Sequence, residues 1–140
     1  MRSDTKTITI ERDEQTVYEF VANPENLPTW AKGFARTIRR AGESWIIETP
    51  HGEHLNVRYV TDAGLGIVDF YISPAPGVEF VVPSRVVPNG TGAEYIFTQF
   101  QLANMPDAVF EGQVHTLTQE LAILKHTLEV ACPTNFAELQ

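Results

Sequence analysis

MPDAVFEGQVHTLTQELAILKHTLE, residues Met105 to Glu129, is the longest helical signal in the chain, and the fold class turns on it. Phe110, Val114, Leu117, Leu121, Leu124 and Leu128 step by four and three, which lays a single apolar stripe along a helix. Asp107 follows Met105-Pro106 and reads as the N-cap. Pro133 sets the outer limit, because proline cannot continue a helix. His115 lies beside the stripe and His126 nearly opposite it, so both read as surface residues.

Working outward, the segment before this helix is β-patterned. Candidate strands are Ala35–Arg40, Ser44–Thr49, His54–Thr61, Gly66–Ser73, Val78–Val87 and Ala93–Leu102, joined by short turns rich in Gly, Pro, Asn and Asp. Such turns make antiparallel hairpins. Pro83 cannot donate a ladder hydrogen bond, so a bulge or an edge is expected there. At the front, Thr5–Glu11 alternates as a half-buried strand. Asp13 caps a short helix over Glu14–Ala22, and Asn23-Pro24 ends it. Glu25–Lys32 reads as a second short helical piece carrying Leu27 and Trp30. The order is strand, two short helices, six strands, long helix. The sheet needs one face covered, and only the last helix has a stripe long enough to do it. The expectation is an α+β chain in which a curved antiparallel sheet of about seven strands grips the C-terminal helix and leaves a cavity at one end.

Composition narrows the function classes. The 140 residues are 43% hydrophobic and 20% charged, ordinary for a globular chain, and predict one domain over 1–140 with a short disordered tail at 133–140. A formal charge of −8 argues against nucleic-acid binding, which rests on clustered Lys and Arg; Arg39-Arg40 is the only basic pair. No apolar run approaches a membrane span and no signal peptide is expected. Lone Cys132 fits a reducing cytoplasm and reads as a bystander thiol.

His51-Gly52-Glu53-His54 is the one stretch that suggests a metal. The histidines are three apart on a turn rather than four apart on a helix, and no third ligand is near, so no metal and no other cofactor is expected. Read as a two-residue hairpin loop, His51-Gly52 pairs Thr49 with His54, Glu48 with Leu55 and Ile46 with Val57. A turn between Thr61 and Gly66 then aligns Leu55, Val57 and Tyr59 with Ile72, Phe70 and Val68. These six share an apolar face, expected to be the inner one. In that register Glu48 points inward too, where desolvation would raise its pKa toward that of a general acid. Asp69 and Arg85 face outward as a candidate ion pair, and Trp45 and Ile47 as outward apolar residues. On the last strand Tyr95, Phe97, Gln99 and Gln101 are expected inward.

TITIERDEQTVYEFVANPENLPTWAKGF at the front, and GTGAEYIFTQF with the MPDAVF helix at the end, resemble the helix-grip or START-like superfamily. That group includes polyketide cyclases, lipid-transfer domains and a plant allergen group. Within it the chain is similar to bacterial proteins of the SRPBCC, polyketide cyclase/dehydrase-like type. Phe70 stands where that group often carries His, so the resemblance implies no His-based chemistry at this point. What it implies is a pocket for a small hydrophobic or aromatic molecule. The expected lining is Trp30, Val57, Tyr59, Phe70, Tyr95, Phe97, Gln99, Leu117 and Leu121, with Trp30 near the mouth. Two alternatives stay open: a cyclase- or dehydratase-type enzyme with Glu48 as its acid/base, and a protein-interaction module. A homodimer is compatible with the sequence.

Overall fold

A computed structural model describes residues 1–130. Their order is β1 (Ser3–Ile10), α1 (Glu14–Ala22), a 3₁₀ turn (Pro24–Asn26), α2 (Leu27–Trp30), β2 (Thr37–Ala41), β3 (Ser44–Glu48), β4 (His54–Asp62), β5 (Ile67–Ala75), β6 (Val78–Val82), β7 (Ser84–Asn89), β8 (Gly92–Phe100) and α3 (Asp107–Val130). The strands form one eight-stranded antiparallel sheet in the order β1-β8-β7-β5-β4-β3-β2, with β6 also beside β5. This is the α+β helix-grip fold. The expected tail and Cys132 lie outside the described residues.

Side-chain chemistry sets the helix ends. Asp13 accepts the Thr16 N–H at 3.0 Å and caps α1. Asn23 closes α1 and opens the 3₁₀ turn, accepting the Glu25 N–H at 3.1 Å. Asp107 turns out to be the first residue of α3 rather than its N-cap. The Pro106 carbonyl accepts the Phe110 N–H at 3.1 Å, and the Asp107 carboxylate instead accepts from the Gln101 amide at 2.8 Å.

Leu117, Leu121, Leu124 and Leu128 enter one apolar cluster with Ile47, Val57, Val68, Phe70 and Tyr95. Phe110 is buried just outside it, with the Arg2 guanidinium 5.1 Å from its ring centre. Val114, the remaining stripe residue, is only half-buried. The second half of α3 is tied to the end of β1 by polar contacts. Lys125 Nζ donates to the Thr9 carbonyl at 2.6 Å, Arg12 donates to the Leu128 carbonyl at 2.6 Å, and Glu129 accepts the Glu11 N–H at 2.7 Å.

The expected strand Val78–Val87 is two strands, β6 and β7, parted at Pro83. Both halves keep one register on β5, from Ile72 opposite Phe80 to Ile67 opposite Arg85. Only β7 pairs with β8, starting at Ser84 opposite Phe97. The last ladder contact on that side is the Pro83 carbonyl, which accepts the Thr98 N–H at 3.0 Å. Beyond it, the end of β8 stays paired to β1, as in Ser3 with Phe100, but not to β6. The sheet therefore splits between β6 and the last residues of β8.

Register corrects the placement of Glu48. The pairs are Glu48 with His54, Ile47 with Leu55 and Trp45 with Val57, one residue from the expected alignment. Pro50 is the reason: it has no N–H with which to close a His51-Gly52 loop against Glu53. Closure falls one residue back, where the Thr49 N–H donates to the Glu53 carbonyl at 2.8 Å, and Gly52 takes the positive φ of 89° that the longer loop needs. A slip of one reverses the faces of a strand. Ile47 is thus fully buried, and Glu48 lies on the opposite face, its Oε1 2.6 Å from Arg36. Trp45 is half-buried, with the Arg40 guanidinium 5.6 Å from its ring centre, so the outward Trp45–Ile47 pair does not exist.

Candidate functional site

A cavity of about 450 Å³ lies between the split in the sheet, α2 and the first half of α3. Its walls come from five places. α2 and the following loop bring Leu27, Trp30 and Phe34; β5 brings Phe70 and Ile72; β6 brings Phe80 and Val82; β8 brings Phe97 and Gln99; α3 brings Gly112, Thr116, Leu117 and Glu120. Leu102 and Met105, in the loop before α3, complete it.

The aromatic wall is organised around Phe97. Trp30 stands edge-on to Tyr95 and Phe97, at 6.3 Å and 6.5 Å between ring centres, and Phe70 lies 5.9 Å from Phe97. Trp30 is almost completely buried, so it is wall rather than mouth.

Of the expected lining, the structure brings Trp30, Phe70, Phe97, Gln99 and Leu117 to the cavity. Val57, Tyr95 and Leu121 lie in the packed core. Tyr59 packs edge-on against Phe70 at 5.0 Å, with its hydroxyl buried and unpaired. The Tyr95 hydroxyl donates to Ser84 Oγ at 3.0 Å, and Ser84 in turn donates to the Val68 carbonyl. Burial pushes both tyrosines far above their ordinary range, so neither hydroxyl ionises near neutral pH. Asp69 and Arg85 make no ion pair with each other. Asp69 accepts the Ser84 N–H at 3.3 Å, the first backbone donor after Pro83, and Arg85 donates to the Leu65 carbonyl at 2.9 Å.

The carboxylate at the cavity is Glu120, which the sequence reading passed over. Glu120 is 7% exposed and its Oε2 accepts the Gly33 N–H at 2.9 Å. Burial raises its pKa from 4.5 to about 7, against the pull of the Gly33 and Phe34 backbone N–H groups. Glu48 is the opposite case, held below the ordinary carboxylate range chiefly by its hydrogen bond from Arg36. A signal for Glu120 was present: it stands three residues after Leu117 and four before Leu124, on the buried side of the helix. Gly33 allows the approach, since a Cβ there would fall 2.5 Å from Thr116 Cγ2.

Gln99 is the second polar group. Its Nε2 faces the Gln113 carbonyl at 3.5 Å, while its Oε1 is buried without a partner. Among the described residues, no group of three or more His, Cys, Asp or Glu is placed to hold a metal ion, and no helix is long and apolar enough to cross a membrane.

No family model matches the chain, and no curated protein matches it in sequence. Solved structures do match in fold. XoxI from Bacillus cereus is similar with a TM-score of 0.77 at 14% identity, over 94% of this chain and 98% of that one. DynU16, a protein of the dynemicin biosynthetic locus, gives 0.71 at 14% identity over 94% of this chain and 48% of its own. Ara h 8.0201 gives 0.64 at 12% identity, over 91% and 97%. At such identities the likeness establishes the fold, a helix-grip chain, and leaves activity to the site.

Proposed function

We propose that this chain binds a small hydrophobic or aromatic molecule in the cavity between the split sheet, α2 and α3, as a member of the START-like, SRPBCC group. The cavity itself carries the reading. About 450 Å³ of space walled by Trp30 and several phenylalanines, with few polar groups, is the usual make-up of a small-ligand site. Similarity to Ara h 8.0201 and to DynU16, a protein of the dynemicin biosynthetic locus, agrees with it but adds no residue-level support.

A second reading, a general acid/base enzyme of cyclase or dehydratase type, has one observation in its favour. Glu120 borders the cavity with a pKa near 7, where a carboxyl group both donates and accepts protons. Glu48 has no part in either reading, because it lies on the other face beside Arg36.

Native mass spectrometry of the purified protein should show a co-purified small molecule, or uptake of an added aromatic fluorophore. Phe70→Ala enlarges the cavity and Gly112→Leu narrows it from the opposite wall. Each should change fluorophore affinity by about tenfold, since that corresponds to only about 1.4 kcal/mol. A fluorophore that binds tightly and is moved by neither substitution sits elsewhere, and the proposal falls.

A further inference from the structure

The polar groups of the cavity are unbalanced, and the imbalance specifies a ligand. Glu120 is the only titratable residue lining it among the described residues, and no Lys, Arg or His from α2, β5, β6, β8 or α3 borders it. The Gly33 N–H bond at 2.9 Å does not account for a charge at this position, because a glutamine would accept that bond equally well. Gln99 lines the same space, and its own Oε1 is buried without a donor. The cavity thus offers one carboxylate where an apolar ligand would carry its head group, and no cation to meet an anion. Around them stand Trp30, Phe34, Phe70, Phe80, Phe97 and Phe100, whose ring faces attract positive charge. The chain's formal charge of −8 acts the same way at longer range.

Resting on the cavity reading above, we propose that the ligand is an apolar, aromatic amine, held by its ammonium group at Glu120, and that the site discriminates against carboxylates. The ammonium supplies the positive charge that the buried carboxylate lacks. An anionic ligand would place a second negative charge beside Glu120 in a low-dielectric space. The amine recognises the ionised form of Glu120, whose burial otherwise favours the protonated form. Amine affinity should therefore rise between pH 5 and pH 8, while that of an uncharged analogue stays level.

Calorimetric titration with naphthylmethylamine, naphthylmethanol and naphthoate, three probes of similar size and different head group, tests this. At pH 8 the amine should bind about tenfold or more tighter than the alcohol, the scale of one charge-assisted hydrogen bond, and naphthoate weakest of the three. Glu120→Gln keeps the shape and removes the charge. It should bring amine and alcohol within about threefold of each other and abolish the pH dependence, with its urea melt showing an intact fold. Naphthoate binding as tightly as the amine, or an amine preference that survives Glu120→Gln, overturns the inference and leaves the cavity reading standing. Failure of all three probes to bind overturns both.

Discussion

The two halves of α3 carry the same apolar spacing and do different work. In the second half, Leu121, Leu124 and Leu128 are buried in the common core, and Lys125, Glu129 and Arg12 lock that end to β1. In the first half, Val109, Gly112 and Thr116 border open space instead of a packed sheet. The neighbouring strands explain the contrast. Over the second half the sheet is continuous; beside the first half, β6 and β8 have parted at Pro83. The clamped end fixes the helix to the sheet, and the unfilled end is where the proposed ligand site lies. Glu120 sits where the two meet.

Five substitutions sharpen or break this contrast. The largest effect belongs to the clamped half: Leu121→Ala is expected to lose about 2–5 kcal/mol in urea melts, the range for a buried leucine. A loss under about 1 kcal/mol would mean the second half is not the packed end.

Next comes the junction. The folded-state pKa of Glu120, about 7, lies above the ordinary 4.5, so the folded protein binds the proton more tightly than the unfolded chain. Below pH 4.5 both states are protonated and the group is neutral in effect. Between 4.5 and 7 stability falls as pH rises, and above 7 the full cost, about 3 kcal/mol, is present. Glu120→Gln should therefore stabilise the ligand-free protein by about 1–3 kcal/mol at pH 8 and by little at pH 4. Equal melts at both pH values would place Glu120 in water. Glu48→Gln should behave in the reverse sense. Its pKa is held down by Arg36, so its contribution is present above the ordinary carboxylate range and is lost on acidification. A small loss at pH 7 that vanishes at low pH is the expected result.

In the open half, a Cβ at Gly112 would meet nothing within 4 Å. Gly112→Ala should thus gain about 0.5–1 kcal/mol through helix propensity alone; a loss would show that the first half is packed after all. The smallest effect is His126→Ala, on the exposed side of the clamped half, expected within about 0.5 kcal/mol of wild type.

Periodicity made much of this protein legible before any coordinates. Helical spacing from Phe110 to Leu128 identified the gripping helix, and all of its leucines are buried. Alternation in β4 and β5 placed Val57, Tyr59, Val68, Phe70 and Ile72 on one face. The assumed pairing there was two residues out, Val57 opposing Ile72 rather than Phe70, yet a slip of two preserves the face. At the β3–β4 hairpin the slip was one, and it carried Glu48 to the wrong side and Ile47 with it. The lost signal there was local and readable, the missing N–H of Pro50.

The position of the cavity is of another kind. Side-chain period reports which face of an element is buried, and Phe70, Phe97 and Leu117 were assigned to the interior on that basis. It does not report how far apart two buried faces stand. That distance depends on β6 staying with β5 while the end of β8 stays with β1, a choice made by strand pairings far apart in the chain. Glu120 shows the same boundary in one residue. Its place on the buried side of α3 follows from spacing to Leu117 and Leu124, but its raised pKa follows from desolvation by walls contributed from α2 and the sheet. Local chemistry and period determine each element and its inward face; only the packing of distant elements decides which inward group meets empty space.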